Sequence, residues 1–114
     1  MMQIFNQTRN LVLTDNALVA DSPFKRVRGL LGTKVFNYGK ALVLDPCNSV
    51  HTFFMRYPID ILFVDKDNKI IEAISALPPF RATKIYFKAQ LVVELPAGTI
   101  KNSLTNLGDR LSFQ

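Results

Sequence analysis

The stretch that most constrains the fold is Ile59-Asp60-Ile61-Leu62-Phe63-Val64, apolar on both alternating faces except at Asp60. Side chains along a strand point to opposite faces in turn, so such a run needs cover on both sides. It predicts a strand inside the molecule, entered at Pro58, which can begin a strand but not interrupt one.

The rest of the chain divides into short strands around it. Residues 3–6, 10–14, 17–20, 41–44, 69–76, 85–87, 90–95 and 110–113 are β-prone runs separated by turn residues, and 50–55 is strand-like. Residues 65–69 read as a hairpin loop, with Asn68 best suited to positive φ. Two short helices are predicted. In the first, Ser22 caps, Pro23 opens the helix, Phe24, Val27, Leu30 and Leu31 form the buried stripe, and Gly32 ends it. The second covers residues 97–104. Strands dominate, which predicts an α+β, mostly β fold: a small, partly closed, antiparallel or mixed β-barrel-like domain with two short helices. A doubly wound parallel sheet needs more crossover helices than this pattern provides. At 114 residues the chain is expected to form a single domain, 1–114, with no linker and no signal peptide.

Composition limits the functional classes. One Cys cannot form an internal disulfide, and no apolar run approaches the length of a membrane span, so a cytoplasmic protein is expected. The net charge is +5, but the cations are spread along the chain, with one modest cluster at Lys25, Arg26, Arg28 and Lys34. Neither nucleic acid nor a membrane is therefore an expected partner. Oligomeric state is left open.

Chemically capable side chains concentrate in residues 47–65, which hold the only Cys, Cys47, and the only His, His51. In a strand His51 would share a row with Phe53, Met55 and Tyr57. The common outcome for such a residue is a core histidine, and the functional one is a general base or ligand donor. Cys47 and His51 are able to form a thiolate pair, but no second Cys or His completes a zinc set, and no metal is expected. Asp60 is a buried carboxylate with Arg56 as its expected partner. Glu94 poses the same problem within Leu91-Val92-Val93-Glu94-Leu95-Pro96. Arg81, on a stiff loop after Pro78 and Pro79, is a candidate anion binder. Phosphate-binding loops, dinucleotide fingerprints, nucleophile elbows and HExxH are absent, and no cofactor is expected.

The segments RVRGLLG at 26–32, CNSVHTFFMRYPIDILFVD at 47–65, VVELPAGT at 92–99 and LGDRL at 107–111 together resemble the bacterial and archaeal family called domain of unknown function 192, also uncharacterised protein family 0127. The resemblance covers nearly the whole chain. It implies a compact β-rich domain and no established activity, substrate or cofactor, and it transfers no catalytic residue. Many members carry an N-terminal apolar segment that this sequence lacks, so an envelope location is not carried over.

The function expected from these readings is a small-molecule-binding module. Cys47, His51, Thr52, Arg56, Asp60, Arg81 and Glu94 would line its site, and the arginines would suit an anionic ligand. Two alternatives stand beside it. One is a small enzyme using His51 with Asp60 or Glu94 as acid and base. The other is a protein-interaction or accessory domain in which the motif is purely structural.

Overall fold

The computed structural model describes residues 2–20, 36, 37, 39–53 and 55–114. They form one sheet of seven strands: β1 (Met2–Asn6), β2 (Leu11–Ala20), β3 (Lys40–Leu44), β4 (Ile59–Asp65), β5 (Ile70–Leu77), β6 (Ala89–Pro96) and β7 (Leu111–Phe113). A five-residue helix, α1 (Thr99–Ser103), follows β6. Strand order is β5-β4-β6-β3-β2-β1-β7. All neighbours are antiparallel except β2 and β3, which run parallel.

The mostly β reading is correct, and the sheet curls into a half-barrel rather than a closed one. Its two edges meet at one end only. There Lys69 bridges Arg110, the Ile70 N–H donates to the Asp109 carbonyl at 2.8 Å, and the Leu111 N–H donates to the Asn68 carbonyl at 2.8 Å. Among the described residues there is one helix, not two. The helix expected over 23–32 lies outside them. The predicted second helix is shorter than its expected span because Leu104 takes a left-handed φ of 58° and ends it.

Other elements differ from expectation for local reasons. The runs 10–14 and 17–20 are one continuous strand, because β2 absorbs its irregularity as register shifts against β1. Residues 50–55 and 85–87 are not strands. The first run turns at the Met55 N–H to Thr52 carbonyl bond of 3.1 Å; Val50 and Thr52 bond irregularly to residues 80–83, and Tyr86 bonds to Asn48. The hairpin loop is as expected: Asn68 has φ 64°, and Asp65 Oδ1 accepts from the N–H groups of Asp67 and Lys69.

The alternation of β4 organises two cores. Leu62 and Val64 face the concave side, with Ile4, Leu13, Val43, Ile70, Val93, Ile100 and Leu111. Each strand and α1 contribute to this core. Ile59, Ile61 and Phe63 face the convex side with Ala20, Leu44, Val92 and Met55, and Cys47, Val50, Tyr57 and Tyr86 pack over them. The central strand thus has apolar cover on both faces, as its composition required. The covering segments 47–58 and 78–88 bring most of the candidate residues to the convex side.

Candidate functional site

Asp60 is fully buried, and its carboxylate is saturated. Oδ1 accepts from the Ala76 N–H at 2.7 Å, and Oδ2 accepts from the N–H groups of Gly98 at 3.1 Å and Ile100 at 2.8 Å. These donors come from the end of β5 and the first turn of α1, groups that a short helix leaves without internal partners. Gly98 reaches this position with φ 97°, a conformation that favours glycine. Asp60 therefore ties three backbone elements together. The expected Arg56–Asp60 clamp is not formed: Arg56 is exposed, and Arg9–Asp109 is the ion pair found among the described residues.

Thr52 is also structural. It is fully buried, its hydroxyl donates to the Pro78 carbonyl at 2.6 Å, and it accepts from the Arg81 N–H at 2.9 Å. Its own N–H donates to the Arg81 carbonyl, and its carbonyl accepts from the Phe80 N–H. One side chain and one peptide thus bracket the Pro78-Pro79-Phe80-Arg81 loop, fixing it without regular strand pairing.

His51 is exposed, which corrects the expected core histidine. The turn after Thr52 breaks the alternation that would have placed it in an apolar row. Its Nδ1 accepts from the Phe53 N–H at 3.3 Å, and its ring stacks on Phe53 with centroids 5.1 Å apart. No carboxylate among the described residues bonds to it, so the proposed His–carboxylate dyad is not assembled. Cys47 is half-buried, and its Sγ donates to the Ser49 carbonyl at 3.1 Å. Arg81 is exposed, with its guanidinium directed at the neighbouring Phe80 carbonyl.

Glu94 is different. It stands opposite Leu42 on β3 and Ile61 on β4, on the convex side of β6. It is buried to 5% exposure, no hydrogen bond or ion pair reaches its carboxylate among the described residues, and the oxygens keep a small contact with solvent. Burial alone pushes its pKa up from 4.5 to about 7. Asp60 and Glu94 therefore lie on opposite faces of one sheet. They come within one residue of pairing, since Asp60 stands opposite Leu95, and that single step sends the two carboxylates apart. The seven candidates do not converge on one pocket. Cys47 and Glu94 belong to the covered convex face, His51, Arg56 and Arg81 to its outer surface, and Thr52 and Asp60 to the framework.

A second polar node was not singled out from sequence. Asp109 Oδ2 accepts from Asn6 Nδ2 at 3.0 Å, Arg9 Nε at 3.1 Å and the Asn106 N–H at 2.9 Å, and Asn6 also donates to Thr105. Burial acts to raise the Asp109 pKa, but the bonds from Asn6, Asn106 and Arg9 outweigh it and hold the carboxyl below its usual value. This node joins the β1–β2 turn to the LGDRL turn. The sequence signal for it was the buried-type Asp in LGDRL, and its partners stand about a hundred positions away.

These features define a class: a small half-barrel β domain with one carboxylate saturated by backbone N–H groups and a second, on the opposite face of the sheet, without a bonding partner among the described residues. The chain belongs to the DUF192 family, described as "Uncharacterized ACR", which it matches over residues 4–113. The UPF0127 protein of Thermococcus sibiricus is 30% identical, covering 97% of this chain and 74% of that protein. The UPF0127 protein of Pyrococcus horikoshii is 29% identical, covering 96% and 97%. The fold is shared with a protein of unknown function from Novosphingobium aromaticivorans, with TM-score 0.83 and 14% identity, over 97% of this chain and 82% of that one. It is also shared with a putative transcription regulator from Sinorhizobium meliloti, with TM-score 0.81 and 21% identity, over 98% and 91%.

Proposed function

We propose that this protein is a small-molecule-binding module whose site lies on the convex sheet face beneath segment 47–58, with Glu94 as its polar anchor. The observation that carries this reading is the Glu94 carboxylate, buried among Leu42, Ile61 and Val92 without a bonding partner among the described residues. A carboxyl held in apolar surroundings with only a small contact to solvent is poorly compensated, and a ligand donating a hydrogen bond or a positive charge would improve on that contact. The site therefore suits a compact, largely apolar ligand carrying an amine or hydroxyl. Arg56 and Arg81 leave room for an anionic group at the outer surface, as the sequence suggested. The single thiol keeps the cytoplasm as the favoured compartment.

The test separates binding from folding. Natively purified protein is assayed by mass spectrometry for a retained ligand and by calorimetry against a panel of small amines and alcohols. Binding is expected for the native chain and lost in Glu94→Gln, while the variant stays folded. Unimpaired binding by Glu94→Gln, or no binding by the native protein to any of the panel, would overturn the proposal.

A second reading rests on the same carboxyl. A pKa of about 7 suits a general acid or base at neutral pH. In this reading Glu94 acts without His51, and turnover of a bound ligand, abolished in Glu94→Gln with binding retained, would distinguish catalysis from binding.

A further inference from the structure

Segments 47–53 and 78–88, far apart in sequence, lie side by side as an irregular ribbon. The Tyr86 N–H donates to the Asn48 carbonyl at 2.8 Å, the Thr83 N–H to Val50 at 2.9 Å, and the Thr52 N–H to Arg81 at 2.8 Å. The Tyr86 ring fastens the ribbon to the sheet, its centroid 4.1 Å from that of the Phe63 ring, with Glu72 beside it. Outward from this base the ribbon exposes Phe80, Ile85 and Phe87, the last at 87%. Arg81, Lys84 and Lys88 are exposed on the same ribbon, Lys84 with its Nζ 5.1 Å from the Tyr86 ring centroid, and none joins an ion pair among the described residues.

Residues 47–53 and 78–88 contain three cations, Arg81, Lys84 and Lys88, and no Asp or Glu, so the ribbon itself carries +3, with Glu72 beside Tyr86 at its base and Asp45 bonded to Gln90 just beyond its end. We propose that the ribbon is a docking surface for an anionic lipid bilayer, with Phe87, Ile85 and Phe80 entering the headgroup–acyl boundary and the cations meeting the lipid phosphates. Two observations choose this occupant. A platform for stacking bases holds its rings flat on the protein with one face covered, whereas a Phe ring at 87% exposure stands clear of the surface and is shaped for insertion. A second copy of the chain presenting the same +3 ribbon would be repelled. The chain-wide dispersal of its cations argues against a membrane, whereas the 78–88 arm of the ribbon exposes Arg81, Lys84 and Lys88 together beside Phe80, Ile85 and Phe87.

The native chain has no Trp, so Phe87→Trp makes a single fluorescent reporter in the full-length protein. Its emission should shift to the blue on vesicles of phosphatidylcholine mixed with phosphatidylglycerol, and not on phosphatidylcholine alone, with the shift weakening as salt is added. Replacing Lys84 and Lys88 by Ser should weaken vesicle binding roughly 25-fold, about fivefold per cation. Phe87→Ser should weaken it by about tenfold or more, and Lys101→Ser, on α1, should leave it unchanged. Unaltered thermal midpoints would establish that these exposed substitutions leave the fold intact. The proposal is overturned by an absence of vesicle binding, by an equal loss in Lys101→Ser, or by quenching of the reporter with single-stranded oligonucleotide in the absence of any vesicle-induced shift.

Discussion

At the scale of single residues, three buried carboxylates in one small protein take three different states. Asp60 is satisfied by backbone N–H groups, Asp109 by side chains and backbone together, and Glu94 by neither among the described residues. The last two give opposite pH dependences. The native state holds a proton on Glu94 up to about pH 7, whereas an unfolded glutamate releases it near 4.5. Folding therefore takes up a proton between those values, and this contribution is fully present below about pH 4.5 and lost as pH rises through 7. At about 1.4 kcal/mol per unit the loss is about 3 kcal/mol. Urea unfolding at pH 5 and pH 8 should show it, and Glu94→Gln should flatten the profile and be more stable than the native chain at pH 8. Asp109 works in the other direction. Its lowered pKa stabilises the fold above the unfolded value of 3.8, and the contribution disappears as pH falls through the native value. Asp109→Asn should cost about 2 kcal/mol at neutral pH by leaving Asn6 and Arg9 poorly paired, measurable by the same titration.

At the scale of elements, short side chains replace regular pairing. A five-residue helix is too short to be stable through its own hydrogen bonds, and α1 holds its place because Ile100 is buried and Asp60 binds its first turn. Asp60→Ala should destabilise the protein by about 3 kcal/mol, since it orphans three backbone donors. Amide exchange at Ala76, Gly98 and Ile100 should accelerate more than elsewhere, and uniform acceleration over the chain would argue against this local role. Thr52 does for the ribbon what Asp60 does for α1. Thr52→Val keeps the shape but removes the hydroxyl bonds to Pro78 and Arg81. Limited trypsin digestion should then cut after Arg81 and Lys84 faster than in the native chain, before any change in the sheet's circular dichroism.

At the scale of the molecule, the half-barrel is held at its open seam by a few backbone bonds between the β4–β5 hairpin and the approach to β7. β7 also covers the free edge of β1, through pairs such as Phe5 with Ser112. Removing residues 111–114 would expose that edge and open the seam together. The truncated chain is expected to lose its cooperative unfolding transition and to self-associate through β1, as seen by light scattering. A truncated chain that remained monomeric with an unchanged midpoint would show that β7 is dispensable.

Most of this architecture is legible along the chain. Pro58 and the doubly apolar run placed β4, Asn68 placed the hairpin, and alternation within each strand put Asp60 with Leu62 and Val64. These are local consequences of pleat, turn geometry and burial, and they need no knowledge of neighbours. The candidate site was less legible. His51 was assigned to a core row because a continuing strand was assumed, and one backbone turn after Thr52 removed it. Arg56 was paired with Asp60 because they are close in sequence, while the donors that satisfy Asp60 lie sixteen to forty positions away.

The sequence by itself determined most of the strands, the hairpin, the burial of Asp60 and Glu94, and the family. Only the tertiary structure decided which face of the sheet each carboxylate occupies, that Asn6 and Arg9 meet Asp109, and that two loops distant in sequence pair into one exposed, aromatic ribbon. The physical reason is the same in each case. Local preferences fix the conformation of a segment and the relative directions of its side chains, but cross-strand register and loop pairing are chosen by the burial and hydrogen bonding of the whole sheet, and a shift of one residue is enough to send a side chain to the opposite side.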